Sequence, residues 1–135
     1  MLKLIIGLKG SGKTKQLIGL VNEALDTTTG SVVVIEKGIK LRYDIKYTAR
    51  LVNTNDYLVF DGQSLFGLIA GIIASNSDVT DIFVDSALKI CDQDMAAFER
   101  LLLAVDELAE KQNVKVVMTS SLAEDAASDV VKKYL

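Results

Sequence analysis

Three glycines within six positions, followed directly by a lysine and a threonine, are the residues of this sequence most clearly suited to chemistry. The stretch "GLKGSGKT", residues 7–14, comes after the apolar residues 4–6. Its spacing fits G-x-x-x-x-G-K-[ST], in which glycines let the backbone wrap closely and adopt positive φ, so that N–H groups point at polyphosphate oxygens. Lys13 would supply charge to the phosphates, and Thr14 would offer a hydroxyl to Mg²⁺. The stretch therefore predicts a polyphosphate-binding loop.

A nucleoside triphosphate with Mg²⁺ is the ligand that such a loop predicts, and we expect ATP. No residue of the sequence shows a base contact that would separate ATP from GTP, and a glycine-rich turn without a ligand is the alternative. The residues expected to contact the nucleotide are Gly7, Lys9, Gly10, Ser11, Gly12, Lys13, Thr14 and Lys15.

An acid is needed to complete the metal site, because Mg²⁺ is usually held through one or two carboxylates together with phosphates and water. Asp85 closes the apolar run "IFVD", and we expect it to support the metal together with Thr14. Asp61 follows the weaker run "YLVF" and is the alternative metal acid. Either aspartate could instead cap a helix or face water.

Hydrophobic patterning predicts strands that alternate with helices. The predicted strands cover residues 2–6, 31–36, 57–60, 81–85 and 114–120. The predicted helices begin at Lys13, cover residues 64–75, follow the apolar repeat from Phe98 to Leu108, and open after a capping box of Ser121 and Glu124. This alternation predicts one domain, residues 1–135, with a three-layer α/β/α fold and a mostly parallel sheet.

Ligands of such sheets bind beyond the carboxyl ends of the strands. The predicted order of elements places five features on that edge, namely residues 7–14, Glu36, Asp61, Asp85 and Thr119. The candidate site is therefore expected at one edge of the sheet.

Composition argues against several classes of function. The 135-residue chain has a formal charge of −3, and we see no basic run that would predict a nucleic-acid surface. The single cysteine, Cys91, cannot form an internal disulfide, and without histidine or a cysteine pair the usual zinc sites are excluded. No apolar stretch is long enough to predict a membrane span, so we expect a cytoplasmic protein.

The order of these segments resembles the core of the RecA-like ATPases, a group of P-loop NTPases. The resemblance rests on the glycine stretch, the strand "VVVIE" and the later "DIFVDS", and it covers most of residues 2–120. It implies that Glu36, after the second strand, activates the attacking water, and that Lys13 and Asp85 complete the catalytic set. Thr119 and Ser120 stand where the family carries an amide side chain. Without that role, Glu36 would be an exposed acid paired with Lys37 or Lys40.

The segment "VVVIEKGIKLRYD" is also similar to the phosphate-loop half of the thymidine kinases. Those enzymes place a glutamate after the metal aspartate and carry a zinc-binding lobe, whereas this chain has Ser86 and one cysteine. The expected function is a slow Mg-dependent ATPase, and a nucleoside or small-molecule kinase is the first alternative. The second is a non-catalytic, nucleotide-responsive interaction module that uses helix 64–75 as a partner surface. The resemblance is also compatible with a homo-oligomer or a larger protein partner, because RecA-like ATPases often complete their sites across subunits.

Overall fold

Five strands form one parallel sheet at the centre of the molecule. The computed structural model describes all 135 residues. The strands are β1 (Leu2–Gly7), β2 (Ser31–Glu36), β3 (Arg50–Asn53), β4 (Val79–Val84) and β5 (Lys115–Ser121). They lie in the order β1-β5-β4-β2-β3, and every neighbouring pair is parallel. The predicted α/β class is confirmed.

Helices cover both faces of this sheet. They are α1 (Lys13–Thr27), α2 (Gly62–Ser75), α3 (Ala87–Ile90), α4 (Met95–Gln112) and α5 (Asp129–Lys132). On one face, Leu17 and Val21 of α1 are fully buried in a cluster with side chains of β2 and β4. On the other face, α2 packs against α4 through a larger apolar cluster. The arrangement is the predicted three-layer α/β/α sandwich, and none of its helices has the length and apolar content needed to cross a bilayer.

The prediction of a strand at residues 57–60 is wrong. The third strand lies earlier, at Arg50–Asn53, where it pairs with β2, and a 3₁₀ turn follows at Thr54–Tyr57. Within the apolar run, Leu58 is left-handed at φ 58° and its side chain is 74% exposed, while Val59 is buried. Apolar composition predicted a strand there, but the backbone has no neighbouring strand with which to pair.

The predicted capping box of Ser121 and Glu124 is also wrong. The chain continues as β5 through Ser121, and residues Glu124–Ala126 form only a short 3₁₀ turn. The last helix begins later, where the Ser128 hydroxyl accepts the Val131 N–H. A capping box exists instead at Asp61, the residue that precedes α2.

Residues 37–50, the crossing segment, run from the end of β2 to the first residue of β3 and cross the face on which α1 packs. Leu41, Ile45 and Ala49 are buried in the α1 cluster at intervals of four residues. A 3₁₀ turn covers Lys40–Tyr43. The four-residue interval leaves the side chains between these anchors on the outer surface.

The cap of α2 generates a stability prediction. Asp61 Oδ1 accepts the Ser64 backbone N–H at 2.8 Å, and the hydrogen bonds from Ser64 lower the pKa of Asp61 below its ordinary value of 3.8. We expect Asp61→Ala to lower the melting temperature at pH 7, and Asp61→Asn, which keeps an acceptor oxygen, to lower it less. Because a lowered carboxyl pKa stabilises the fold above that pKa, the difference between wild type and Asp61→Ala should shrink as the pH falls below 3.8.

Thermal melts followed by circular dichroism at pH 7 and at lower pH values test this expectation. Identical melting temperatures for wild type and Asp61→Ala at pH 7 would contradict the assignment of Asp61 as a cap.

Candidate functional site

The loop between β1 and α1, residues 7–14, contains glycines in two different settings. Gly10 and Gly12 have φ of 83° and 90°, in the left-handed region that side chains disfavour. Gly7 does not have a positive φ, contrary to the prediction. A Cβ at Gly7 would lie 2.5 Å from the Ser11 Oγ, so a side chain at this position would require the Ser11 hydroxyl to move.

The loop opens α1 without a side-chain cap. Gly12 is the N-cap residue, no side chain accepts from the first backbone N–H groups, and the first turn contains no acid. Instead, the first turn carries Lys13 and Lys15, although cations are disfavoured at the positive end of a helix dipole. The Lys13 Nζ donates to the Leu8 carbonyl at 2.9 Å. The open N–H groups and the lysines together suit an anion.

A carboxylate and two hydroxyls meet beside the start of α1. Thr14 Oγ1 donates to Asp85 Oδ1 at 3.2 Å, and Thr119 Oγ1 donates to the same oxygen at 2.8 Å. The contact forms because β5, which carries Thr119, lies between β1 and β4. Asp85 and Thr14 thus present adjacent hard oxygen donors, the kind that Mg²⁺ prefers. The chain has no group of three or more His, Cys, Asp or Glu side chains that could hold a metal, so Mg²⁺ here would need phosphate and water oxygens as well.

The turn after Asp85 has a strained backbone and is hydrogen-bonded to β5. Ser86 is left-handed, at φ 58° and ψ 52°, and its N–H donates to Thr119 Oγ1 at 2.8 Å. The Leu88 N–H donates to the Ser120 hydroxyl at 3.2 Å. Both hydroxyl residues of β5 are buried, so they hold the turn in place rather than face a ligand.

A cleft of about 640 Å³ opens over the loop and this turn. Its wall contains five lysines, Lys9, Lys13, Lys15, Lys40 and Lys89, and a single acid, Asp85. The other lining residues are Gly10, Gly12, Thr14, Leu41, Ser86, Leu88, Gln93 and Ser121. An excess of cations in the cleft of a chain whose formal charge is −3 indicates a polyanionic ligand.

The structure brings most of the sequence-predicted residues together. Lys9, Gly10, Gly12, Lys13, Thr14, Lys15 and Asp85 line the cleft. Gly7 and Ser11 shape the loop from behind. Sequence reasoning missed Lys40, Lys89 and Gln93, which come from two segments that follow β2 and β4. Their only signal in the sequence is their position shortly after a strand.

Glu36 lies behind the wall of the cleft. Its side chain is only 5% exposed; Oε1 accepts the Lys40 N–H at 3.1 Å, and Oε2 accepts the Leu41 N–H at 3.0 Å. It contacts a separate cavity of about 160 Å³. The alternative expectation, an exposed acid paired with the Lys37 or Lys40 side chain, is therefore wrong. The role of Glu36 in activating water stays a prediction.

Asp61 is not brought into the cleft. It lines a different cavity with Asp94 and Arg100, and its Oδ1 is engaged by the Ser64 hydroxyl and N–H. The structure thus confirms the alternative expectation that Asp61 caps a helix, and Asp61 does not lie beside Thr14. Of the two acids considered for the metal, Asp85 alone lies at the glycine loop.

Known proteins provide no assignment for this geometry. No protein-family model matches the chain, and no curated protein matches it. Any function proposed for the chain must therefore follow from its own residues.

The buried thiol of Cys91, the C-cap residue of α3, generates a reactivity prediction. Burial, reinforced by the charges of Asp94 and Asp61, raises the pKa of Cys91 to about 12. The thiolate reacts, and at pH 8 a thiol with this pKa is ionised in only about one molecule in 10⁴. We expect native protein to react slowly with iodoacetamide, at a rate that rises about tenfold per pH unit. Urea-unfolded protein should react far faster, and equal rates for the folded and unfolded chains would contradict this environment.

Proposed function

We propose that this chain binds Mg·ATP in the glycine-loop cleft and hydrolyses it slowly. The observation that carries the proposal is the cleft itself, where five lysines surround an uncapped helix N-terminus and a single carboxylate. A triphosphate supplies the negative charge that these groups lack, and the resemblance to RecA-like ATPases favours hydrolysis as the reaction.

Each loop group has a defined task in this proposal. The N–H groups at the start of α1 donate to phosphate oxygens. The Lys13 Nζ, which donates to the Leu8 carbonyl in this structure, donates to phosphate instead. The Thr14 hydroxyl donates a hydrogen bond to Asp85, which leaves the lone pairs of its oxygen available to a cation. Thr14 and Asp85 would hold Mg²⁺ together with phosphate and water oxygens, and the ion would neutralise part of the phosphate charge. Thr119 keeps the Asp85 carboxylate oriented for its part of the metal site.

Two side chains are candidates for orienting the attacking water. Glu36 is supported by the family resemblance, but both of its oxygens already accept backbone N–H groups. Gln93 lines the cleft, and it follows Asp92 in a pair of consecutive left-handed residues, at φ 57° and 59°. Strained backbone of this kind clusters at functional sites, and a glutamine amide can both donate to and accept from water. The geometry favours Gln93 for the water, with Glu36 as a positioning residue behind Lys40.

The binding step is tested by thermal unfolding with and without excess Mg·ATP. At about 100 times the dissociation constant, a ligand adds roughly 2.7 kcal/mol to the unfolding free energy. For a domain of this size, that should raise the midpoint by about 5 to 10 °C. We expect the shift in wild type and in Lys111→Ala, an exposed lysine on α4, and its loss in Lys13→Ala. A wild type that shifts with neither Mg·ATP nor Mg·GTP would overturn the proposal.

The water-orienting step is tested by comparing Gln93→Ala with Glu36→Gln. We expect Gln93→Ala to keep the Mg·ATP thermal shift and to lose about 10²-fold in phosphate release. Glu36→Gln should lower the melting temperature without nucleotide, because its amide NH₂ faces a backbone donor.

The reverse pattern would restore the role implied by the family resemblance. In that case Glu36→Gln would lose turnover at an unchanged melting temperature and an unchanged nucleotide shift, while Gln93→Ala hydrolysed ATP like wild type.

A further inference from the structure

Positive charge is concentrated in the crossing segment, residues 37–50. The segment holds five of the fifteen lysines and arginines of the chain but only one of its eighteen acids. The five cations are Lys37, Lys40, Arg42, Lys46 and Arg50, and all five residues are exposed. The formal charge of −3 is therefore unevenly distributed, because residues 37–50 are basic and the rest of the chain is acidic. Arg50 is the first residue of β3 and lies toward α2, so the basic surface proposed below consists of the other four.

Two aromatic side chains project from the same segment into solvent. Tyr43 is 83% exposed and Tyr47 is 96% exposed, and they alternate with the buried anchors Leu41 and Ile45. The Arg42 guanidinium lies 4.9 Å from the centre of the Tyr43 ring. Because these rings bury almost no surface in the chain itself, they add little to its stability and remain available to a ligand.

The segment is held in a fixed position by α1 and β2. Asn22 of α1 donates from Nδ2 to the Asp44 carbonyl at 3.2 Å and accepts the Lys46 N–H at Oδ1 at 3.3 Å. The Lys46 Nζ also pairs with Asp26 of α1 at 2.6 Å. Glu36 holds the other end of the segment through the Lys40 N–H. A backbone fixed in this way loses little conformational entropy when a ligand binds.

We propose that the crossing segment binds single-stranded nucleic acid, with bases stacked on Tyr43 and Tyr47 and phosphates beside the lysines and Arg42. Aromatic rings bind bases of any sequence, and cations follow the phosphate backbone. A duplex fits less well because its base faces are already stacked. Lys40 belongs both to this segment and to the wall of the glycine-loop cleft, so the two basic surfaces meet. The proposal does not depend on ATP binding or hydrolysis.

Fluorescence anisotropy with a labelled single-stranded oligo(dT) of about 15 nucleotides tests the proposal at 50 and 200 mM salt. We expect wild type to bind, more tightly at low salt, and Tyr43→Ala/Tyr47→Ala to lose at least tenfold in affinity. Lys37→Ala/Arg42→Ala should weaken binding and flatten its salt dependence. Leu103→Ala and Lys111→Ala, exposed positions on α4 and outside the segment, should stay within about twofold of wild type. Melting temperatures establish that each variant is folded.

Several outcomes would overturn the proposal. They are no binding by wild type at 50 mM salt, unchanged affinity of Tyr43→Ala/Tyr47→Ala, or equal affinity for a duplex of the same length. Loss of oligonucleotide binding in Lys13→Ala would place the oligonucleotide in the cleft instead. A dimer in sedimentation velocity that Tyr43→Ala/Tyr47→Ala abolishes would make the segment an interface between copies of this chain. The Mg·ATP thermal shift, measured on the same proteins, reports separately on the cleft.

Discussion

The hydrogen bonds accepted by the Asp85 carboxylate are the contact on which the arrangement of the site depends. They join Thr14, 71 residues away in the chain, and Thr119, 34 residues away, to the end of β4. Thr119 in turn accepts the N–H of Ser86, whose left-handed backbone would otherwise be a costly conformation. Without this carboxylate, the start of α1 and the turn after β4 would lose their common partner. The insertion of β5 between β1 and β4 makes the contact geometrically available.

Much of the fold could be predicted from local patterns. The β-branched residues 32–35 are buried as a strand covered on both faces should be, and the helix over residues 64–75 packs into the core as its apolar content indicated. The pattern failed where pairing decided the structure. Leu51 and Val52 became part of a strand because β2 lies beside them, while the more apolar residues 57–60 have no such neighbour. Similarly, Ser121 could not cap a helix because β5 pairs with β1 as far as this residue.

The candidate site was predictable only where its residues are contiguous. The spacing of the glycines predicted residues 7–14 as a site, and the apolar strand before Asp85 predicted this acid. Lys89 and Gln93 reach the cleft through a strained turn that no local pattern indicates, and Glu36 is buried by backbone donors supplied four and five residues later. Net charge is a poor guide to local binding surfaces for a related reason. It averages over the surface, whereas binding responds to where the charges lie, and here the cations gather at the cleft and along residues 37–50.

One helix connects both surfaces. Thr14 in the first turn of α1 reaches Asp85, and Asn22, about 12 Å further along the axis, holds residues 44 and 46 of the crossing segment. A packed helix moves largely as a unit, so a shift at its first turn would displace the support of the crossing segment. If ligands occupy both surfaces, thermodynamic reciprocity applies: the factor by which one alters the affinity of the other must act equally in the opposite direction. The geometry of α1 thus gives the two proposed sites one shared support, and any coupling between their ligands can be measured as this reciprocal change in affinity.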